Sequence, residues 1–237
     1  MFIFLARHGL ADLANDRLTK AGKKQAKALA KRFAHLGLDK IYSSTMGRTM
    51  ESAGFTAKKL GLDVEGLEFA REDLAWKSFS QRSDAGTCTW CFWIKKYFDL
   101  FNTEEIRNLG HNWYESPLFK DNRFKIGALR VKEATTKFMN NLGYLYDEKS
   151  GTYTAEKHIY DKVAVFAHGG FSMIFASCLL NIPYPTFATR FHMMSAGGIT
   201  IFQIPDTGEN LIPRIFQYGN DSHASKDLIS GFELRTF

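Results

Sequence analysis

Short apolar runs and amphipathic stretches alternate at both ends of the chain. Residues 2–6 form a run of apolar, β-forming side chains, which predicts a buried strand that ends at the tripeptide 7–9. Thr19 can cap a helix that continues to about Leu36, where Gly37 provides a stop signal. The pattern therefore predicts a strand, a loop and a helix in that order.

The same alternation continues further along the chain. Residues 40–43 and 163–167 predict two more strands, and Ser44 or Thr45 can cap a helix that runs to Leu60. The remaining predicted elements are an apolar helix at 171–180 and a closing pair of strands at 197–204 and 213–218. This alternation favours an α/β fold, namely a three-layer α/β/α sandwich with a mostly parallel central sheet. In such sheets the site lies at the carboxyl ends of the strands.

The middle of the chain does not continue this alternation of strands and helices. We interpret residues 77–157 as a largely helical, cap-like insertion within a single domain that spans residues 1–237. Trp76 and this segment hold all four tryptophans of the chain. Such aromatic density indicates either a cap over an active site or a satellite core that packs the segment down, and the sequence leaves both open.

Composition and charge narrow the function classes. Hydrophobic residues make up 45% and charged residues 24% of the 237 positions, as in soluble globular domains. No signal peptide or membrane-spanning run is recognisable, so we expect a cytoplasmic protein without a membrane partner. The net charge of +6 favours anionic ligands. Much of it falls on the predicted helix after Thr19, where a solvated face explains it better than a nucleic-acid partner does.

Three cysteines occur at positions 88, 91 and 178. An odd number without an export signal argues against a disulfide framework. Cys88 and Cys91 have the spacing of half a zinc site or of a redox pair, but no second pair of ligands follows at a suitable spacing. We expect ordinary thiols and no bound metal, and the sequence gives no role for Cys88 and Cys91.

Two of the predicted strands end in the same way. Both the first run and the run at 163–167 lead into a histidine followed by glycine, at His8 and His168. If both strands lie in one parallel sheet, these histidines converge at one edge, and the glycines allow a sharp turn and a close approach of backbone N–H groups to a ligand. Arg7 and Arg48 add guanidinium groups, which suit phosphate oxygens and would repel a divalent metal.

Four segments together resemble a known family. They are Phe4-Leu-Ala-Arg-His-Gly9, Tyr42-Ser-Ser-Thr-Met-Gly-Arg-Thr-Met-Glu-Ser-Ala53, Arg71-Glu-Asp-Leu-Ala-Trp76 and Phe166-Ala-His-Gly-Gly170. As a set and in this order, they are similar to the signature segments of the histidine phosphatase superfamily, in its phosphoglycerate-mutase-like branch. The resemblance covers residues 1–76 and about 160–204 and leaves the middle third unmatched.

The resemblance implies a role for each matching residue. His8 matches the histidine that is phosphorylated, and Arg7, Arg48 and His168 match residues that bind the transferring phosphoryl group. His168 is also expected to be catalytic, and Gly169 to bind the phosphate. Glu72 matches the proton donor, because glycine stands at 169 where the acid phosphatase branch has aspartate. Its neighbours Glu68 and Asp73 are better explained as surface charges. Asn15 is a further phosphate-binding candidate, although a turn-forming asparagine explains it equally well.

The resemblance further implies an enzyme without a cofactor that acts on a small-molecule phosphate ester. Mutases of this branch continue Arg-His-Gly with a longer loop, whereas this chain has Leu10 and Ala11 and soon reaches Leu18. We therefore expect a metal-independent phosphatase that acts through phosphohistidine on His8. A phosphoglycerate-type mutase, a noncatalytic phospholigand-binding module and a homodimer remain open, and the sequence does not identify the substrate.

Overall fold

The computed structural model describes residues 1–119 and 122–228. A mixed sheet of six strands forms its centre, in the order β13-β11-β1-β10-β4-β5. Strands β1, β10, β4 and β5 are parallel, and β11 and β13 join one edge in antiparallel pairing. The strands are β1 Phe2–Arg7, β2 Ala11–Asp12, β3 Arg17–Leu18, β4 Lys40–Ser44, β5 Val64–Leu67, β6 Ser80–Arg82, β7 Cys88–Trp90, β8 Leu145–Asp147, β9 Thr152–Ala155, β10 Lys162–Ala167, β11 Ile199–Gln203, β12 Gly208–Leu211 and β13 Arg214–Asn220.

Helices cover both faces of this sheet. They are α1 Lys20–Leu36, α2 Gly47–Leu60, α3 Glu72–Phe79, α4 Lys95–Phe101, α5 Glu104–Leu109, α6 Arg123–Asn141, α7 Gly169–Leu179 and α8 Tyr184–Ala188, with short 3-10 helices at Glu68–Ala70, Cys91–Trp93, Gly110–Glu115 and Lys226–Leu228. The predicted three-layer sandwich with a mostly parallel sheet is confirmed.

Alternation along the strands explains the three layers. In β1, Phe4 and Ala6 face a core shared with Leu29 and Phe33 of α1, whereas Ile3 and Leu5 belong to the core on the other side. Because successive side chains of a strand point to opposite faces, an apolar run of this kind needs a helical layer on each side. Burying one such side chain contributes about 2 kcal/mol, so the two cores fix the strand firmly between the layers.

Helix α1 begins as the sequence predicts, but α2 does not. The Thr19 hydroxyl accepts the Gly22 N–H at 3.0 Å, and Gly37, with a φ of 72°, follows the last residue of α1. The predicted cap of α2 at Ser44 or Thr45 is wrong, since the cap position is Met46, without a side-chain cap. The Ser44 hydroxyl instead contacts His168 in the site described below.

The middle segment divides into two parts. Helix α6 packs against α3 and α7, and its Phe138 ring lies 5.1 Å from that of Tyr42 in β4, so α6 is part of a helical layer of the sandwich. The part before it contains α4, α5 and the β6–β7 hairpin, together with a satellite core in which Trp113 contacts Phe101 and Phe124. The cap-like role of residues 77–157 stays a prediction.

A cavity of about 330 Å³ lies among α6, α7 and the β8–β9 hairpin. Its wall includes Trp113, Thr135, Tyr146, Tyr153 and Ser177, and it contains none of the predicted site residues.

Of the cysteines, Cys91 is buried beside the hydroxyl of Tyr184, at 3.7 Å, and Cys88 is exposed. Burial raises the pKa of the Cys91 thiol to about 12, which makes it an inert thiol at neutral pH. In the described ranges, no three His, Cys, Asp or Glu side chains are grouped so that they could hold a metal ion. No helix that the structure describes is both long enough and apolar enough to cross a membrane.

Candidate active site

The carboxyl ends of three neighbouring parallel strands bring the predicted site together. Arg7 pairs with Ala167 between β1 and β10, so His8 and His168 are the next residues on adjacent strands. The His8 N–H donates to the Ala167 carbonyl at 3.1 Å, and the two imidazole centroids lie 5.1 Å apart. Residues that lie 160 positions apart therefore share one pocket, as the strand-end pattern predicts.

The hydrogen bonds of His8 determine its tautomer. Its Nδ1 lies 2.7 Å from the Gly9 carbonyl oxygen, which can only accept, so Nδ1 carries the proton. Burial, and next the charge of Arg7, lower the pKa of His8 from 6.5 to about 3, and the ring is neutral at pH 7. The Nε2 atom thus presents a lone pair, to which Arg48 Nε donates at 3.2 Å.

His168 lies fully buried on the opposite side of the pocket. Its Nε2 contacts the Ser44 hydroxyl at 2.9 Å, which fixes the orientation of the ring. Burial and the positive charges of Arg48 and Arg7 lower the pKa of His168 well below 6.5. Its Nδ1 is buried without a hydrogen-bond partner among the described residues. Such an atom is costly unless a ligand satisfies it, and a phosphoryl oxygen could do so.

Arg7 and Gly169 lie in close contact beside the two histidines. A Cβ atom at position 169 would stand 3.2 Å from Arg7 Cζ and 2.2 Å from Met193 Sδ. The guanidinium of Arg7 also donates to the Met194 carbonyl. Gly169 does not have a positive φ, so glycine is required here for space and not for the sharp turn that the sequence suggested. The same correction applies to Gly9, where a Cβ would lie 2.4 Å from the Gly22 carbonyl oxygen.

Glu72 reaches the pocket from the first turn of α3. Its two carboxylate oxygens accept the N–H groups of Gly170 and Phe171, at 3.0 and 2.8 Å, in the first turn of α7. Burial raises the pKa of the Glu72 carboxyl, and these two N–H groups and the positive charges of the pocket oppose that rise. The neighbouring Asp73 pairs with Arg71 on the surface instead, at 2.9 Å.

Most of these pocket residues lie in a segment that matches a known family. The family model of the histidine phosphatase superfamily (branch 1) matches residues 3–81, a segment that includes Arg7, His8, Arg48 and Glu72. The resemblance to this superfamily is confirmed.

Solved structures share the fold over nearly the whole chain. A mycobacterial glucosyl-3-phosphoglycerate phosphatase in complex with inorganic phosphate is 18% identical, with a TM-score of 0.58, over 94% of this chain and 99% of that one. Phosphoserine phosphatase from Entamoeba histolytica, in complex with 3-phosphoglyceric acid, is 17% identical with a TM-score of 0.54, over 94% and 98%. YhfR from Bacillus stearothermophilus is 19% identical with a TM-score of 0.56, over 94% and 98%. No curated protein sequence matches this chain.

Asn15 makes no contact with the pocket residues that the structure describes. Asn15 lies in the exposed turn between β2 and β3, and its side-chain amide donates to the Asp12 carboxylate at 2.7 Å. This contact corresponds to the turn-forming role that the sequence allows. Phosphate binding by Asn15 stays a prediction.

The sequence did not predict the contacts of three further residues of this pocket. Ser44 orients His168, and Ser52 accepts the Gly9 N–H at 3.3 Å. Asp16 pairs with Arg48. The position of Ser44 at the end of a predicted strand is a usable signal, because that is where sites form in parallel sheets. Asp16 gives no such signal, since an aspartate in a short polar loop reads as a turn residue.

Proposed function

We propose that this protein is a metal-independent phosphatase that hydrolyses a phosphate monoester through a phosphohistidine intermediate on His8. The observation that carries the proposal is the convergence of a neutral His8, with a lone pair on Nε2, with Arg7, Arg48 and His168 in one pocket. The match to the histidine phosphatase family over residues 3–81 supports the same chemistry.

The pocket suits a phosphoryl group electrostatically. During transfer, negative charge spreads over the three equatorial oxygens, and fixed cationic donors stabilise it. Arg48 already donates to His8 Nε2, so a phosphoryl group placed for attack by Nε2 comes within reach of that guanidinium. The unpartnered Nδ1 of His168 supplies a further donor when it carries the ring proton.

The first chemical step joins phosphorus to His8. The Arg48 Nε–H shifts its hydrogen bond from His8 Nε2 to a phosphoryl oxygen, and the freed Nε2 lone pair attacks phosphorus and forms the P–N bond. The ester P–O bond breaks, and the leaving oxygen takes a proton from the carboxyl group of Glu72. The raised pKa of Glu72 favours the protonated form that this step needs. The phosphate dianion of a bound substrate favours it further.

The second step regenerates the enzyme. The oxygen of a water molecule attacks the phosphohistidine, the P–N bond breaks, and the carboxylate of Glu72 takes the proton of that water. His8 returns to its neutral form, hydrogen-bonded through Nδ1 to Gly9, and inorganic phosphate leaves. Splitting the hydrolysis in this way replaces one difficult displacement with two easier ones.

An assay with p-nitrophenyl phosphate in the presence of EDTA tests the proposal. We expect steady release of p-nitrophenol without added metal, and a loss of about a thousandfold or more in His8→Ala. Activity that disappears with EDTA and returns with a divalent metal would contradict it. Incubation with 3-phosphoglycerate separates the alternatives, because a mutase gives 2-phosphoglycerate without net phosphate release, and a binding module gives no product from any ester.

A further inference from the structure

We propose that Asp16 is a positioning residue of this active site, which holds the Arg48 guanidinium at the angle needed to contact the phosphoryl group on its way to His8. This inference rests on the proposed function and adds to it a residue outside the family's matching set. Asp16 would act through Arg48 and would not itself touch the substrate.

Both carboxylate oxygens of Asp16 are engaged at the start of α2. Oδ1 forms an ion pair with Arg48 Nη1, and Oδ2 accepts the Gly47 N–H at 2.6 Å. The Arg48 side chain is only 7% exposed, whereas that of Asp16 is 38% exposed. A carboxylate from a surface loop therefore reaches inward to a buried cation.

The pairing determines where Arg48 points. A guanidinium is planar and its donors form a rigid fork, so fixing Nη1 restricts the direction of Nε. In this orientation Nε donates to His8 Nε2 at 3.2 Å. If the carboxylate were removed, the same cation would stay in the pocket but could rotate away from the position beside His8 Nε2 where the phosphoryl oxygens would lie.

The backbone around Asp16 is shaped for this contact. Asp16 has a φ of 46°, in the left-handed region, which aspartate and asparagine enter more readily than other side chains. Its carbonyl oxygen lies against Gly47, where a Cβ atom would be only 2.4 Å away. The β2–β3 loop and the first turn of α2 thus meet at Gly47 more closely than a residue with a side chain would allow.

Charge balance gives the pairing a further physical reason. Arg7 and Arg48 lie in one pocket, and Glu72 is engaged by the N–H groups of Gly170 and Phe171. Among the described residues, Asp16 is the carboxylate that forms an ion pair with Arg48. A buried cation is costly without a partner, so this pairing holds Arg48 in place before substrate arrives.

Asp16→Asn tests the inference with little change of shape. Asparagine tolerates the left-handed backbone, but it replaces one of the two carboxylate oxygens by an NH2 group, which would face a donor, either Arg48 Nη1 or the Gly47 N–H. We expect kcat for p-nitrophenyl phosphate to fall by about tenfold or more, because an Arg48 guanidinium in the wrong orientation loses transition-state contacts. KM should change by less than about threefold, since the cation remains in the pocket. Asp16→Gly, which removes both acceptors without backbone strain, should lose more.

Two controls separate positioning from folding. Asp12→Asn changes a carboxylate of the same loop that contacts Asn15 and Arg17 and not Arg48, and it should leave kcat unchanged. In an Arg48→Ala background, Asp16→Asn should cause no further loss of kcat, since a residue that acts through Arg48 has nothing left to position. Thermal unfolding checks that each variant is folded.

The outcomes are distinct. A wild-type enzyme that is active while Asp16→Asn has the same kcat overturns the positioning role alone, and so do losses that simply add in the double variant. A wild-type protein that releases no phosphate from p-nitrophenyl phosphate overturns the proposed function and the positioning role with it.

Discussion

His8 and His168 are buried in a pocket that keeps both imidazoles neutral. Burial is the first cause in each case, and nearby positive charges, those of Arg7 and Arg48 among them, act in the same direction. In the proposed mechanism a neutral ring attacks phosphorus, so the same environment that disfavours a charged histidine would prepare His8 as the nucleophile. The same burial makes the folded state less stable at low pH.

Lowering the pH should reduce the free energy of unfolding more than it would if His8 were an ordinary surface histidine. Because the pKa of His8 falls from its ordinary value of 6.5 to about 3 on folding, the unfolded chain binds the extra proton between these limits. Stability is therefore fully present above about pH 6.5 and is lost as the pH falls toward 3, by about 2 kcal/mol at pH 5 for His8 alone. The raised pKa of Glu72 acts with the opposite sign, because it favours the folded state at low pH.

Urea unfolding from pH 7 to pH 4.5 in phosphate-free buffer measures this effect. His8→Asn removes one of the two imidazoles of the pocket and should give a shallower loss of unfolding free energy over the same interval. Equal slopes for wild type and His8→Asn would show that His8 is not held neutral by the fold.

Replacement of Glu72 by glutamine should separate the two chemical steps. An amide cannot protonate a leaving oxygen or take a proton from water, but p-nitrophenolate leaves without a proton. We expect Glu72→Gln to release about one equivalent of p-nitrophenol per enzyme in a burst and then to turn over at least a hundredfold more slowly than wild type. Stopped-flow absorbance measures the burst, and unchanged steady-state turnover would remove Glu72 from the mechanism.

The elements of the sandwich place the site by register. Strands β1, β10 and β4 are neighbours in parallel pairing. His8 and His168, which follow β1 and β10, therefore meet Ser44, the last residue of β4, at one edge of the sheet. Helix α7 then begins directly after His168, and its first turn receives the Glu72 carboxylate. An anionic group at a helix N-terminus is favoured by the unpaired N–H groups there, which helps to hold Glu72 beside the pocket.

A methyl group at the start of α7 should impair the site without unfolding it. Gly169→Ala brings a Cβ within 3.2 Å of Arg7 Cζ and within 2.2 Å of the flexible Met193 side chain, so both must shift. We expect a loss of about tenfold or more in kcat/KM for p-nitrophenyl phosphate. Gly54→Ala in α2, where nothing lies within 4 Å of a new Cβ, is the matched control and should gain up to about 1 kcal/mol in stability at full activity. Wild-type kcat/KM in Gly169→Ala would contradict the close packing described here.

At the scale of the whole molecule, the repeating apolar pattern was sufficient to predict the sandwich and the meeting of distant strand ends. The runs before His8 and His168 are buried on both faces, and burial on both faces produces the continuous apolar runs that predict these strands. Thr19 and Gly37 likewise mark the ends of α1 because capping is a local property.

What the sequence could not predict depends on tertiary contacts. Asp16 pairs with Arg48, which lies 32 positions away in the sequence. Ser44 does not cap α2 as predicted, because its hydroxyl contacts His168. Helix α6 falls within the unmatched middle segment, and only its packing against α7 shows that it belongs to a layer of the sandwich. Such pairings carry no local periodicity, so a pattern along the chain does not reveal them.

Chemical trapping of the phosphorylated residue tests the central claim most directly. The wild-type enzyme is mixed with a ³²P-labelled phosphate ester, denatured rapidly in alkali, which preserves phosphohistidine, and digested for peptide mapping. The account predicts label on the peptide that contains His8, and none in His8→Ala. Turnover of the ester with no label on the protein, or with label at a different residue, would contradict it.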